Sequence, residues 1–365
     1  MESKKVKVAI IGTQGIPNQY GGFETLVEYL AKHLSNRFDI TIFCSSVVYK
    51  SQKKELYGCK LEYLPLKANG IQSVAYDILS ILKSVNKYDK LLVLGVSGGI
   101  ILPLLRMYRD KFVLNFGGLD WQRDKWGKAA KKFLKFSENL AVRNSGTLIA
   151  DNQGIQNYIS NTYKQDSFLI EYGGNQAVKE VIGDSDIEKY PFLNNQYAMS
   201  VARIQPDNNV QMILEAFCQN TIIPLVFIGN WSASAYGCKM KKEFSNQNNI
   251  YLLDAIYDQK YLDVIRSNCD LYVHGHSAGG TNPTLVEAMS LGLPIFCYSS
   301  GFNEFTTEHK ALYFEEKEQL KDLLNNTDKN TMINIGRDMK NIADRRYKWQ
   351  IIVDKYAECL NKRTS

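Results

Sequence analysis

A diphosphate is recognised by cations and by backbone N–H groups held at helix starts, and three stretches of this sequence offer one or both. GTQGIPNQYGGFET (12–25) follows an apolar, β-branched run and opens a helical pattern. Its glycines, among them Gly15, Gly21 and Gly22, would let main-chain N–H groups approach a phosphate. The G-x-x-G spacing of Gly12 and Gly15 is not the G-x-G-x-x-G of a dinucleotide site, and no G-K-[ST] of a P-loop follows. SVARIQPDNN (200–209) sets Arg203 at the end of a strand pattern, where a guanidinium could meet phosphate oxygens two at a time. HGHSAGGTNPTLVEAMSLGLP (274–294) places Gly279, Gly280, Thr281 and Asn282 at the start of a short helix carrying Glu287. From that helix a carboxylate could accept both hydroxyls of a ribose. Each stretch also has a plainer reading: a tight βα turn, a strand-end salt bridge, a surface helix residue.

A fourth stretch, NFGGLDWQRDKWGKAAKKFLKF (115–136), interleaves lysines at 125, 128, 131, 132 and 135 with Trp121, Trp126, Phe133, Leu134 and Phe136. A basic helix studded with large apolar residues suits an anionic membrane surface, or is an ordinary solvated amphipathic helix. No nucleic-acid recognition motif accompanies it. His274 and His276 alternate along a strand with no third ligand nearby, and the D-x-D of Asp184 and Asp186 follows no strand, so no metal is expected. The seven cysteines are scattered without CxxC spacing. Together with a start, MESKKVKVAIIG, that lacks a signal-peptide pattern, they point to free thiols in the cytosol.

The elements that must position these residues alternate along the chain. KVAIIG, DITIFCS, KLLVLGVS and KFVLNFGG read as strands with helical patterns between them. The alternation restarts at YAMSVARI and runs through PLVFIGN, NIYLLD and DLYVHGH. Alternating βα units imply parallel sheets covered on both faces, and two such runs imply two Rossmann-like domains. The junction is expected near 173–195, giving an N-terminal domain over 1–175, a C-terminal one over 176–345, and a last helix in 346–365 packing back toward the first. LLVLGVSGGIILPLL is Gly-broken and too short for a membrane span, so it reads as strand, loop and helix. The net charge of +6 divides into +9 over residues 1–175 (24 Lys/Arg against 15 Asp/Glu) and −3 over the rest (20 against 23). Only the first half is suited to an anionic partner.

Taken together these motifs resemble the retaining family 4 glycosyltransferases of GT-B fold over nearly the full chain. More narrowly, GTQGIPNQYGGFET, the NFGGLDW segment, the YGG at 172–174, VARIQPDNN, GNW and GGTNPTLVEAM are similar to a bacterial rhamnosyltransferase subgroup. The resemblance implies two domains facing across a cleft, phosphate contact by Gly21 and Gly22, ribose contact by Glu287, and a diphosphate clamp of Arg203 with position 208. It implies transfer from dTDP-rhamnose, with UDP-hexoses as the alternative, onto a polyprenyl-diphosphate-linked saccharide at the inner face of the cell membrane. No cofactor or metal is implied. Three positions depart from the pattern: Gly279 replaces the first of two paired glutamates, Asn208 replaces a lysine, and Gly117 stands where an Asp is frequent, leaving Asp120 as the nearest carboxylate and candidate catalytic group. These departures keep open an idle nucleotide-sugar-binding subunit.

Overall fold

The computed structural model describes residues 5–19, 21–123, 126–218 and 222–362. Tyr20 of the first glycine-rich stretch and Lys125 of the basic stretch lie outside them. The chain forms two compact units, one made of residues up to Glu171 and those from Trp349 onward, the other of Tyr172–Lys348. The polar stretch after 172 belongs to the second unit because its backbone is used there: Val178 N–H donates to Asp263 (3.2 Å) and Glu180 N–H to Ser267 (3.0 Å).

In the first unit the strands are β1 (Lys7–Ile11), β2 (Asp39–Ser45), β3 (Glu55–Leu56), β4 (Cys59–Leu64), β5 (Lys90–Leu94), β6 (Phe112–Asn115), β7 (Thr147–Ala150) and β8 (Phe168–Leu169). They form one sheet in the order β3-β4-β2-β1-β5-β6-β7-β8, parallel except for the β3–β4 pair. β1, β2, β5 and β6 are apolar on both faces and almost wholly buried, as a sheet covered on both sides requires. Strand order reverses between β1 and β5, and in such sheets ligands bind beyond the strand ends at the reversal. The apolar run after β5 departs from the expected helix. Pro103 interrupts Gly99–Lys111, which winds as 3-10 turns with a kink at Leu105. Among the described residues no helix is long and apolar enough to cross a membrane.

The helix Trp349–Asn361 completes this unit. Trp349 stacks on Tyr29 with ring centroids 4.1 Å apart, the Asn115 amide donates to the Tyr356 hydroxyl (2.5 Å), and Asp354 pairs with Arg37 (3.0 Å).

The second unit holds β9 (Ala198–Val201), β10 (Leu225–Ile228), β11 (Ile250–Leu253), β12 (Leu271–His274), β13 (Ile295–Tyr298) and β14 (Leu312–Phe314). All are parallel, in the order β11-β10-β9-β12-β13-β14. The reversal falls between β9 and β12, the strands whose following loops carry Arg203 and Gly279–Asn282. The core is built from residues such as Ile213, Phe217, Phe227, Trp231 and Val273.

One core carboxyl sets a pH dependence. Asp77, in the helix Gln72–Ser84, is buried beneath the loop after β5 and accepts a short hydrogen bond from Ser97. Burial raises its pKa from an ordinary 3.8 to about 7, against the pull of the Ser97 bond. A carboxyl held above its unfolded value stabilises the fold fully below about pH 4, and that contribution drains away as pH rises through 7. Asp77→Asn should therefore gain clearly more stability over the parent at pH 8 than at pH 4. Denaturant unfolding at the two pH values checks this, and equal differences at both would refute it.

Candidate functional site

In the second unit the loops after β9 and β12 are laced together. Asn209 donates its amide to the Gly275 carbonyl (2.9 Å), and Ser277 donates to the Asp207 carbonyl through both its N–H (3.0 Å) and its hydroxyl (2.9 Å). A Cβ at Gly275 would lie 2.3 Å from the Asn208 carbonyl oxygen, so only glycine allows this approach. Arg203 stands exposed on that frame, and its guanidinium has no carboxylate or hydrogen-bond partner among the described residues. The salt-bridge reading of Arg203 therefore finds no support. Asn208 is buried and gives its amide to the Arg203 carbonyl (2.6 Å). It acts here as a brace for the Arg203 backbone, with its side chain turned away from the role of a phosphate ligand.

Gly279 has φ +123° with no atom within 4 Å of a Cβ built there, and Gly280 follows it on the same open loop. Thr281 is buried. Asn282 caps the helix Pro283–Ser290, accepting from the N–H (3.1 Å) and hydroxyl (2.9 Å) of Thr284. Glu287 projects from this helix, and both its oxygens are engaged. One takes a short bond from the guanidinium of Arg266, the other accepts from the Gln176 amide (2.6 Å). Arg266 is fully buried and also meets Asp263 at 3.5 Å, so two carboxylates enclose one cation. Gln176 reaches Glu287 because Gly174 lies flat on the helix; a Cβ there would meet the Val286 carbonyl oxygen at 2.3 Å. Neither Arg266 nor Gln176 is signalled by a motif.

In the first unit the glycine-rich loop is folded around its own polar groups. Gly12 (φ +95°) passes so close to β5 that a Cβ would sit 2.2 Å from the Leu94 carbonyl oxygen. Gly15 (φ +123°) would likewise collide with Cys44. Glu24 is buried beneath the loop, accepting from the Thr13 hydroxyl (3.1 Å) and the Gln14 N–H (2.9 Å). Burial pushes its carboxyl above the ordinary range while these bonds pull the other way. Gly21 is the N-cap of the helix Gly22–Leu34, whose start carries no side-chain cap, leaving first-turn N–H groups for an outside acceptor.

Phe23 explains one departure. Gly117 (φ +66°) lies against its ring, and a Cβ at 117 would come 2.3 Å from the ring edge. An Asp side chain is thus disfavoured both by the left-handed backbone and by Phe23. Asp120 stands on a single 3-10 turn, half exposed, 3.9 Å from Arg123.

His274 and His276 stack face to face at 4.4 Å, and burial draws the His274 pKa well below its ordinary value. Among the described residues no three His, Cys, Asp or Glu side chains are grouped to hold a metal. None of the seven cysteines is in a disulfide.

Residues 184–343 match the family described as glycosyl transferases group 1, and residues 5–175 match a domain of unknown function, DUF1972. This chain carries a group 1 glycosyltransferase domain. The glycosyltransferase has the GT-B fold seen in solved relatives. A sucrose-phosphate synthase from Thermosynechococcus elongatus superposes with a TM-score of 0.80 at 15% identity, over 97% of this chain and 98% of that one. HepE from Anabaena, solved in complex with UDP-glucose, gives 0.74 at 18% identity over 97% and 99%. The α,α-trehalose 6-phosphate synthase from Burkholderia multivorans gives 0.74 at 10% identity over 98% of both. No curated protein matches the sequence significantly.

Proposed function

We propose that this glycosyltransferase moves a sugar, with rhamnose from dTDP-rhamnose the first choice, onto a polyprenyl-diphosphate-linked saccharide with retention of anomeric configuration. The observation that carries the donor half is Arg203: an exposed guanidinium, unpaired among the described residues, at the reversal point of the sheet, its backbone braced by Asn208. In the proposed step the bond from the anomeric carbon to the donor's phosphate oxygen breaks. The acceptor oxygen then bonds to that carbon from the same face, and its proton passes to the departing phosphate. Arg203 and the open main chain at Gly279 and Gly280 offset the charge growing on the diphosphate. The first-turn N–H groups at Gly21 and Gly22 offer a further anion contact, and Glu287 takes a sugar hydroxyl of the nucleoside once Gln176 yields. Asp120 is assigned to the acceptor side, and no divalent metal is required. UDP-hexoses stay in the reading because the fold relative HepE was solved with UDP-glucose.

The excess positive charge of residues 1–175 and the exposed Lys128 and Lys132 suit the inner face of an anionic membrane, where each cation contributes about 1 kcal/mol. Lys135 does not share that role. It pairs with buried Glu138 (2.9 Å) and lies over the rings of Trp121 and Tyr158, 4.6 Å from each centroid.

Two measurements test the donor reading. A panel of dTDP-rhamnose, UDP-glucose and other nucleotide sugars, offered with a short lipid-diphosphate saccharide, should show one turned over, with or without EDTA. Turnover of none, or complete loss on chelation, overturns it. Glu287→Gln should weaken nucleoside diphosphate binding about tenfold or more, the worth of one charge-assisted hydrogen bond. A calorimetric titration with unchanged affinity removes Glu287 from the site.

A further inference from the structure

Beside the helix Lys128–Arg143 the first unit contains a surface cavity of about 700 Å³. Its walls are of two kinds. Trp121, Phe136 and Tyr163 supply apolar surface, and Phe136 is 57% exposed within a unit that buries most of its large side chains. Lys131, Lys132 and Arg143 supply charge. Lys132 has no partner among the described residues, and Arg143 spends only its Nε on Asn139 (2.8 Å), leaving the rest of its fork unused. Glu138, the one carboxylate of this helix, is buried and already accepts from Lys135, Tyr158 (2.6 Å) and Tyr163 (2.5 Å). Lys135 thus serves as a fixed pillar under the cavity, and Lys132 and the outer nitrogens of Arg143 are left without a counter-ion among the described residues.

A concavity with unmatched cations beside exposed aromatic surface fits one ligand chemistry, a phosphate ester bearing an apolar chain. A free phosphate would make no use of Phe136 and Trp121, and a neutral lipid none of Lys132 and Arg143. Trp121 directly follows Asp120, so the cavity begins where the loop after β6 ends. We infer that this cavity binds the diphosphate of the lipid-linked acceptor, with Lys132 and Arg143 on the phosphates and the first chain units against Phe136 and Trp121. The inference rests on the acceptor class proposed above.

The test is calorimetric titration of the full chain with farnesyl diphosphate while the donor site is kept filled by saturating nucleoside diphosphate. Farnesyl diphosphate should bind about tenfold or more tightly than inorganic diphosphate, and farnesol should bind weakly. The double variant Lys132→Glu, Arg143→Glu should lose farnesyl diphosphate by roughly a hundredfold while keeping its nucleoside diphosphate affinity and its Tm. Phe136→Ala should weaken farnesyl diphosphate and leave inorganic diphosphate unchanged. The inference is overturned if the double variant binds farnesyl diphosphate undiminished, or if inorganic diphosphate binds equally well. It is also overturned if the double variant loses only phosphatidylglycerol vesicles, which would make this a membrane-docking face. Should any of these occur while a lipid-diphosphate saccharide still serves as acceptor in the donor panel, this site fails and the proposed function stands.

Discussion

Arg203→Ala should lower turnover by about a hundred- to a thousandfold, the loss of roughly 3 kcal/mol that follows removal of one group aimed at developing charge. The fold should be untouched, because the Arg203 side chain is exposed and holds nothing else in place among the described residues. What the variant loses is a cation at the end of β9, beside the open glycine loop after β12. Arg203→Lys keeps the charge without the planar fork and should fall between the two. Steady-state rates with the donor that the panel identifies check this, alongside thermal melts of each variant. If Arg203→Ala keeps a near-normal kcat, the guanidinium is not on the leaving group and the proposed mechanism loses its centre.

Arg266→Leu should be the most damaging single change in the second unit. The guanidinium is fully buried between Glu287 and Asp263, and its removal leaves two carboxylates facing one another with little water. Breaking a buried pair in this way costs about 3–5 kcal/mol. For a unit of this size that is a drop on the order of 10 °C in Tm. Replacing all three groups together, with Asp263→Asn and Glu287→Gln added, should recover much of the stability but not the nucleotide affinity. Such partial rescue separates the packing role of Arg266 from its hold on Glu287. If Arg266→Leu melts with the parent, the buried network contributes nothing and Glu287 is positioned by other means.

These two arginines show where the sequence was legible. Arg203 could be singled out because phosphate chemistry restricts residue type, and its place after a β-branched run put it just past a strand end, where the structure has it; its phosphate role is the proposal made above. The same logic located the glycine-rich loops, since only glycine tolerates φ values such as +95° at Gly12 and +123° at Gly279. The two parallel-sheet units were legible for a similar local reason: the apolar runs and the helical periods between them fall within windows of a dozen residues. Arg266 was not legible. Three residues after Asp263 on a helix, it reads as a surface i,i+3 ion pair, and only the contact with Glu287, 21 residues away, makes it a core group. Gln176 is 111 residues from the carboxylate that it caps. Asn208 was legible by position but not by direction, because its amide turns back to the Arg203 carbonyl. The cost of an Asp at 117 depends on where the ring of Phe23 comes to rest. In each case the deciding partner lies across a loop whose path no local pattern specifies.

The helix Trp349–Asn361 carries a consequence for how the chain is made. Its stack on Tyr29, its bond to Asn115 and its pair with Arg37 supply contacts that the first unit cannot obtain from residues up to Glu171. The second unit is made of residues 172–348 alone. Chains emerge from the ribosome N-terminus first, and domains fold as units when their residues are all available. The eight-stranded sheet thus has its Tyr29 and Asn115 faces uncovered until the helix Trp349–Asn361 has followed the whole second unit. An emerging chain therefore exposes its aromatic surface longest on the unit that carries the glycine-rich loop and the basic cavity.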